Sequence, residues 1–173
     1  VTPRTAGFNT TDLTVLSQTG QMLIIMLMLI GGSPGSTAGG MKTTTIAVLF
    51  STACSVFRKE EYTHFFNRRI PEGTVKNAAT IFLMYIVLFV GGGMVISRVE
   101  NLPILVSLFE TASAIGTVGL TLGITPSLGL VSHLILICLM FFGRVGGLTL
   151  IFAAMSKTAT NAAKYPQEKI TVG

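Results

Sequence analysis

Ser113-Ala114-Ile115-Gly116-Thr117-Val118-Gly119-Leu120-Thr121 is the stretch on which the reading of this chain turns. It closes an apolar segment that opens at Pro103, and Gly119 can take backbone angles shut to other residues. Alone, Thr117-Val118-Gly119-Leu120 is a four-residue match that a plain corner between two helices would also produce. Its weight comes from a second copy. Thr5-Ala6-Gly7-Phe8-Asn9 shows the same order of Thr, small or branched apolar residue, Gly, large apolar residue and polar residue, 112 positions earlier. The likeness continues downstream. Thr5 precedes Gly31 by 26 residues, and Thr117 precedes Gly143 by the same 26. Each motif is thus followed by an apolar segment interrupted by glycine at one distance, the mark of an internal repeat.

Composition sets the surroundings of this repeat. Of 173 residues, 50% are hydrophobic and 11% charged, and the mean hydropathy is +0.71. Soluble domains carry about 25% charged residues, so the chain reads as an integral membrane protein. The 19 glycines suit closely packed helices and backbone lining a cavity. The net charge of +5 does not point to nucleic acid, because the basic residues border apolar segments and form no stripe. Cys54 and Cys138 lie in apolar stretches and read as small buried residues, not as a disulfide or a metal site. The chain opens inside a motif, and the expectation is the C-terminal part of a longer protein.

In a membrane, a Thr-Val-Gly segment after a short helix has a particular meaning. Potassium-channel filters read Thr-Val-Gly-Tyr-Gly, with backbone carbonyls replacing the hydration shell of the ion. The segment from Pro103 to Gly116 predicts a helix of about 14 residues, roughly 21 Å long. That is too short to span comfortably and marks a re-entrant candidate whose C-terminal dipole end faces a bound cation. Glu110 inside it is costly unless paired. It reads either as an acceptor for the backbone behind the filter or as a rim residue near Arg98.

Upstream, an apolar helix is expected from about Leu13 to Ile30, with Asp12 capping its start. Gly31-Gly32-Ser33-Pro34-Gly35-Ser36-Thr37-Ala38-Gly39-Gly40 cannot continue it. Apolar residues resume from Met41 to Phe57. Irregular backbone at membrane depth is tolerated where it is buried in protein or lines a wet cavity, and the alternative is a plain loop between two spans. Gly35 to Thr43 also nearly matches a phosphate-binding loop, with one residue inserted. That loop should follow a strand, whereas a helix-length apolar run precedes this one. Downstream, Asn77–Ile96 is long enough to cross a core of ~30 Å, and Gly91-Gly92-Gly93 suits close helix contact. Pro126 should start a further helix, with Ser127–Met155 apolar but interrupted at Gly143-Arg144-Val145-Gly146-Gly147. Arg144 is too deep for snorkelling and should face the protein interior or water. His133 reads as a packing or helix-surface residue.

Residues 58–76 hold Arg58, Lys59, Arg68, Arg69 and Lys76 against Glu60, Glu61 and Glu72. The positive-inside rule makes this loop cytoplasmic, and the basic tail 156–173 with it. Arg98 to Asn101 then lie outside. The loop serves topology, and part of it is a candidate dock for a cytoplasmic partner.

On Pro3 to Thr10, Gly31 to Thr43, Thr117 to Thr121 and Phe142 to Gly147, the chain resembles the Trk/Ktr/HKT superfamily of potassium and sodium uptake proteins, most of all its bacterial Ktr-type membrane subunit. The resemblance covers essentially the whole chain. It implies an all-α membrane protein of the plasma (inner) membrane, multi-pass, built from helix–re-entrant pore helix–filter–helix repeats with broken second helices. Residues 1–57 would end the third pore repeat, 58–76 form a cytoplasmic linker, 77–155 the fourth repeat and 156–173 the cytoplasmic tail. It implies that Thr5, Ala6, Gly7 and Phe8 form one filter segment and Thr117, Val118, Gly119 and Leu120 the next, with K+ (or Na+) at their backbone carbonyls. It implies a gate made of Gly31, Gly32, Ser33, Pro34, Gly35, Ser36, Thr37, Ala38, Gly39, Gly40 and Arg144. No organic cofactor and no nucleic acid are implied. The implied partners are membrane lipid, a second pore subunit in a homodimer and a cytoplasmic nucleotide-binding regulatory ring.

The expected function is a cation-conducting pore subunit, not an enzyme. A secondary transporter with broken helices and a midplane site is the alternative. A membrane anchor accounts only for the basic loops, and a phosphate-loop enzyme is the weakest reading.

Overall fold

The computed structural model describes residues 5–60, 62, 64–65 and 68–145. The tail 156–173 and the residues Gly146 and Gly147 lie outside them. Among the described residues five helices carry the fold: α1 (Gln18–Leu29), α2 (Thr43–Phe57), α3 (Glu72–Glu100), α4 (Ile104–Ile115) and α5 (Leu130–Val145). A small antiparallel pair, β1 (His64–Phe65) and β2 (Arg68–Arg69), lies between α2 and α3, with His64 opposite Arg69 and Phe65 opposite Arg68. The Arg69 guanidinium stacks 3.6 Å above the Tyr62 ring.

The first expected helix is divided. Asp12 caps a short 3-10 turn, Leu13–Val15, by accepting from the Thr14 amide at 2.9 Å and its hydroxyl at 2.7 Å. Those two donors hold the Asp12 carboxyl below its ordinary value. Ser17, not Asp12, caps α1, its hydroxyl accepting from Gly20 N at 3.2 Å. A hydroxyl at Ser17 competes successfully with continuation of the helix.

α3 has 29 residues, ~44 Å at 1.5 Å per residue, and begins at Glu72 instead of Asn77. Pro71 precedes it, Glu72 lies in its first turn and Arg98 in its last, all in keeping with the helix dipole. Asn101 ends it in the left-handed conformation with φ 54°. Among the described residues it is the helix long and apolar enough to cross a membrane. Pro103 immediately precedes α4, as the sequence implied.

α5 starts at Leu130, after a 3-10 turn at Thr125–Ser127 that holds Pro126. Its free N-terminal donors are served from another helix. Glu100 at the end of α3 accepts from Gly129 N at 2.8 Å and from the Ser132 hydroxyl at 2.5 Å. Within the expected interruption 143–147, α5 stays helical through Gly143 and Arg144 to Val145, where the described residues end. Glycine in a helix interior costs about 1 kcal/mol relative to Ala, and here it serves contact. A Cβ on Gly143 would collide with the Ile115 carbonyl oxygen at the end of α4.

The short helix α4 is the centre of the packing, touching α1, α3 and α5. Ser107, Phe109, Thr111 and Ala112 are 0% exposed and Ile115 1%. α3 closes on it through Gly93, which faces Leu108, and on α5 through Gly92, which faces Leu139. The outer faces are apolar instead: Leu83 on α3 is 65% exposed and Leu130 on α5 75%. Cys138 is exposed on that outer face and Cys54 half-buried, so neither is the buried residue expected. Exposed apolar side chains around a core built on a short central helix are the inverse of a soluble pattern.

Candidate functional site

The two Thr-x-Gly segments share a backbone conformation and lie side by side. Thr5 and Thr117 have φ of 51° and 49°, and Gly7 and Gly119 have φ of 71° and 84°. Positive φ is uncommon for a β-branched residue and costs of order 1–3 kcal/mol where it is held. Two threonines 112 positions apart adopt it at the same place in the same motif. A Cβ on Gly7 would approach Val118 O to 2.6 Å, and one on Gly119 would lie 3.9 Å from the Gly7 Cα. Glycine at both positions is therefore required by conformation, and at Gly7 by proximity as well. Phe8 is exposed, whereas Val118 and Leu120 are buried.

The inner half of the second segment is tied to the end of α4. Thr117 N donates to Ala114 O at 3.0 Å and Val118 N to Ser113 O at 2.9 Å. These bonds occupy the amides on the α4 side. The Thr117 hydroxyl is buried and has no hydrogen-bond partner among the described residues. Glu110, 4% exposed, reaches the outer end. Its Oε1 accepts from Thr121 Oγ1 at 2.6 Å and Leu122 N at 3.1 Å, and its Oε2 accepts from Thr125 Oγ1 at 2.9 Å. Glu110 thus meets one backbone amide and two hydroxyls just beyond the motif, and makes no bond to Arg98 among the described residues.

Directly against this segment lies the glycine-rich stretch 31–40. It is irregular, as its composition demands, and closes at a neck. Gly31 N donates to Met41 O at 2.7 Å and Met41 N to Leu29 O at 3.2 Å, forming a parallel bridge between Ile30 and Met41. A Cβ on Gly39 would collide with Thr117 Oγ1, so loop and motif meet through a position where no side chain fits. Ala38, Gly39 and Gly40 are buried, while Ser33 to Thr37 are exposed at the tip. A cavity of about 480 Å³ lies within the loop, lined by Gly31, Gly32, Ser33, Ser36, Thr37, Ala38 and Thr43.

Two cations hold the tip. Arg144 Nη1 donates to Thr37 O. Lys42 Nζ donates to Ser36 O at 3.2 Å and to Ala38 O at 2.7 Å. Three successive carbonyls thus face two positive side chains, one local and one from α5. Lys42 escaped attention in the sequence except within the near-match to a phosphate loop. Its signal is its place: it is the first charged residue after Asp12. A Lys whose ammonium sits on the carbonyls of its own loop, after a helix and not a strand, is not arranged as a phosphate-binding lysine. His133 Nδ1 lies 3.1 Å from Gly129 O on the surface of α5, consistent with a helix-surface residue.

Comparison with known proteins gives this geometry a context. The sequence profile of the TrkH family, described as a cation transport protein, matches residues 1–164. The chain is 42% identical over its full length to the potassium/sodium uptake protein NtpJ of Enterococcus hirae, of which it covers 40%. It is 36% identical over its full length to the Ktr system potassium uptake protein B of Bacillus subtilis, of which it covers 39%. It therefore spans about two fifths of the length of these relatives. In three dimensions it is similar to the crystal structure of the potassium transporter TrkH from Vibrio parahaemolyticus, with a TM-score of 0.74 at 23% identity. That match covers 90% of this chain and 35% of the other.

Proposed function

The chain belongs to the TrkH family of cation transport proteins, and on that footing we propose that it is part of the pore-forming subunit of a membrane K+ (or Na+) uptake system. In this reading Thr5 to Phe8 and Thr117 to Leu120 are two adjacent quarters of one selectivity filter. The observation that carries it is the matched backbone: left-handed Thr and left-handed Gly two residues on, in two segments in mutual contact. Amides bonded backward onto α4 support forward-facing carbonyls, the arrangement by which a filter replaces water around an ion. The buried, unpartnered Thr117 hydroxyl would add one more oxygen at the inner end.

The loop 31–40 is proposed as the gate beneath this filter, with Arg144 and Lys42 as its latches. Arg144 would also raise an electrostatic barrier to cations while the loop is closed. α4 would be a re-entrant pore helix, and 77–155 a full repeat following the end of another. Loop 58–76 and the tail would be cytoplasmic, facing a nucleotide-binding regulatory ring, and two pore subunits would pair as a homodimer in the plasma membrane.

The test is Gly119→Ser in the full-length protein. Serine at φ 84° is strained, so the carbonyl ring should distort, and preference for K+ over Na+ should fall about tenfold or more, the equivalent of ~1.4 kcal/mol. An unchanged preference in a normally inserted protein would sink the filter assignment. The unwound stretch between α1 and α2 also suits a secondary transporter with a midplane site. Saturable flux coupled to a second ion would favour that reading.

A further inference from the structure

We propose that Glu110 is a positioning residue of the filter, a clamp that fixes the outer end of the Thr117–Leu120 segment and thereby tunes which ion it prefers. This rests on the filter reading above. Every side-chain hydrogen bond that Glu110 makes among the described residues goes to three of the five residues directly beyond the filter: Thr121, Leu122 and Thr125. The inner end is anchored separately, through the amides of Gly116, Thr117 and Val118 on α4 carbonyls. Gly119 and Leu120, between the two anchors, have no hydrogen bond among the described residues. Their carbonyl positions are therefore set by the distance between an inner anchor on the end of α4 and an outer anchor on its Glu110 side chain.

The chemistry of the clamp is well matched. A carboxyl in a buried position is costly unless its oxygens are satisfied. Here two hydroxyls and one amide donate to it, and among the described residues no basic side chain does. Thr121 Oγ1 also accepts from Gly123 N at 2.9 Å and lies 2.8 Å from Thr125 Oγ1, so the two threonines gather on the one carboxyl that both hydroxyls serve. Such networks couple their members more strongly than separate pairs. The network borders a cavity of about 470 Å³ behind the segment that extends to Leu136 and Met140 of α5, so the outer anchor is the side on which α5 could influence the filter. In the first motif Asn9, which corresponds to Thr121, donates to Thr11 O at 3.1 Å.

The experiment uses the full-length protein reconstituted in liposomes. Relative K+ and Na+ flux is read for Thr125→Val, Thr125→Ser, Glu110→Gln and the Glu110→Gln/Thr125→Val double variant, with Gly119→Ser as the filter control. Thr125→Val removes one donor and keeps shape. It should lower the K+/Na+ preference about fivefold, the effect of one lost hydrogen bond of ordinary strength, while Thr125→Ser keeps the preference. The double variant should be no worse than Glu110→Gln alone, since both break one network. If Thr125→Val and Glu110→Gln leave the preference intact while Gly119→Ser abolishes it, Glu110 is merely structural and the clamp is refuted, with the filter left standing. If Gly119→Ser is also without effect, the filter reading falls and the clamp with it. Should Glu110→Gln fail to insert, the Thr125 pair decides alone.

Discussion

Gly143 and Gly39 show how much of this molecule depends on single missing methyl groups. At Gly143 the backbone of α5 lies against the Ile115 carbonyl, which belongs to the rigid end of α4 and cannot swing aside as a flexible side chain would. Gly143→Ala should therefore destabilise the full-length protein by roughly 1–3 kcal/mol, the usual penalty of overpacking. Thermal unfolding in detergent measures it, and an unaltered midpoint would mean that the helices separate without cost. Gly143 was picked out in the sequence by its spacing from Thr117, and the expected reason was a helix break. At Gly143 itself the helix continues and its backbone meets the end of α4: a local pattern cannot tell a glycine that bends a chain from one that lets two helices touch. Lys42 illustrates the converse. Its nearest acceptors, Ser36 O and Ala38 O, are four to six residues away in sequence, yet only the folded loop turns those carbonyls toward it.

The glycine-rich loop is the element on which the gating proposal rests. Its neck is backbone bonded and its tip is held by Lys42 and Arg144, so the tip can be removed without dissolving the neck. Deleting residues from Ser33 to Gly39 in the full-length protein is expected to raise K+ flux severalfold, and Arg144→Gln should raise it too. Because both changes break the same contact, their combination should exceed neither by much. Reduced or unchanged flux in a well-folded deletion variant would count against a gate. The elements themselves were largely legible. The span ending near Arg98, the short helix after Pro103 and the irregular stretch 31–40 all follow from apolar run length and from proline and glycine. Less legible were the division of residues 13–30, where Ser17 outcompetes the apolar pattern, and the start of α5, which depends on Glu100 reaching over from α3.

At the level of the whole chain, two filter-like segments and their surroundings make half of the proposed ring. Residues 1–173 alone, reconstituted in liposomes, should give no K+-selective flux above lipid-only controls, while the full-length protein conducts. Selective flux from the isolated chain would require a smaller pore than four quarters, or assembly of two copies. The outer faces of α3 and α5, lined by residues such as Leu83, Val87 and Leu130, agree with a chain whose complete surroundings are lipid and further protein.

Composition, run length and the repeated motif determined a helical membrane protein with a short helix after Pro103 and an uncoiled, charge-free loop, because these depend on hydropathy and on backbone chemistry that each residue carries wherever it lies. Tertiary structure alone decided which of these parts meet. It set Gly7 beside Val118, Gly39 beneath Thr117, Arg144 on Thr37 O and Glu110 behind Thr121 to Thr125. Those pairings join elements distant in the chain through the packing of α4 against α1, α3 and α5, and no local preference encodes them.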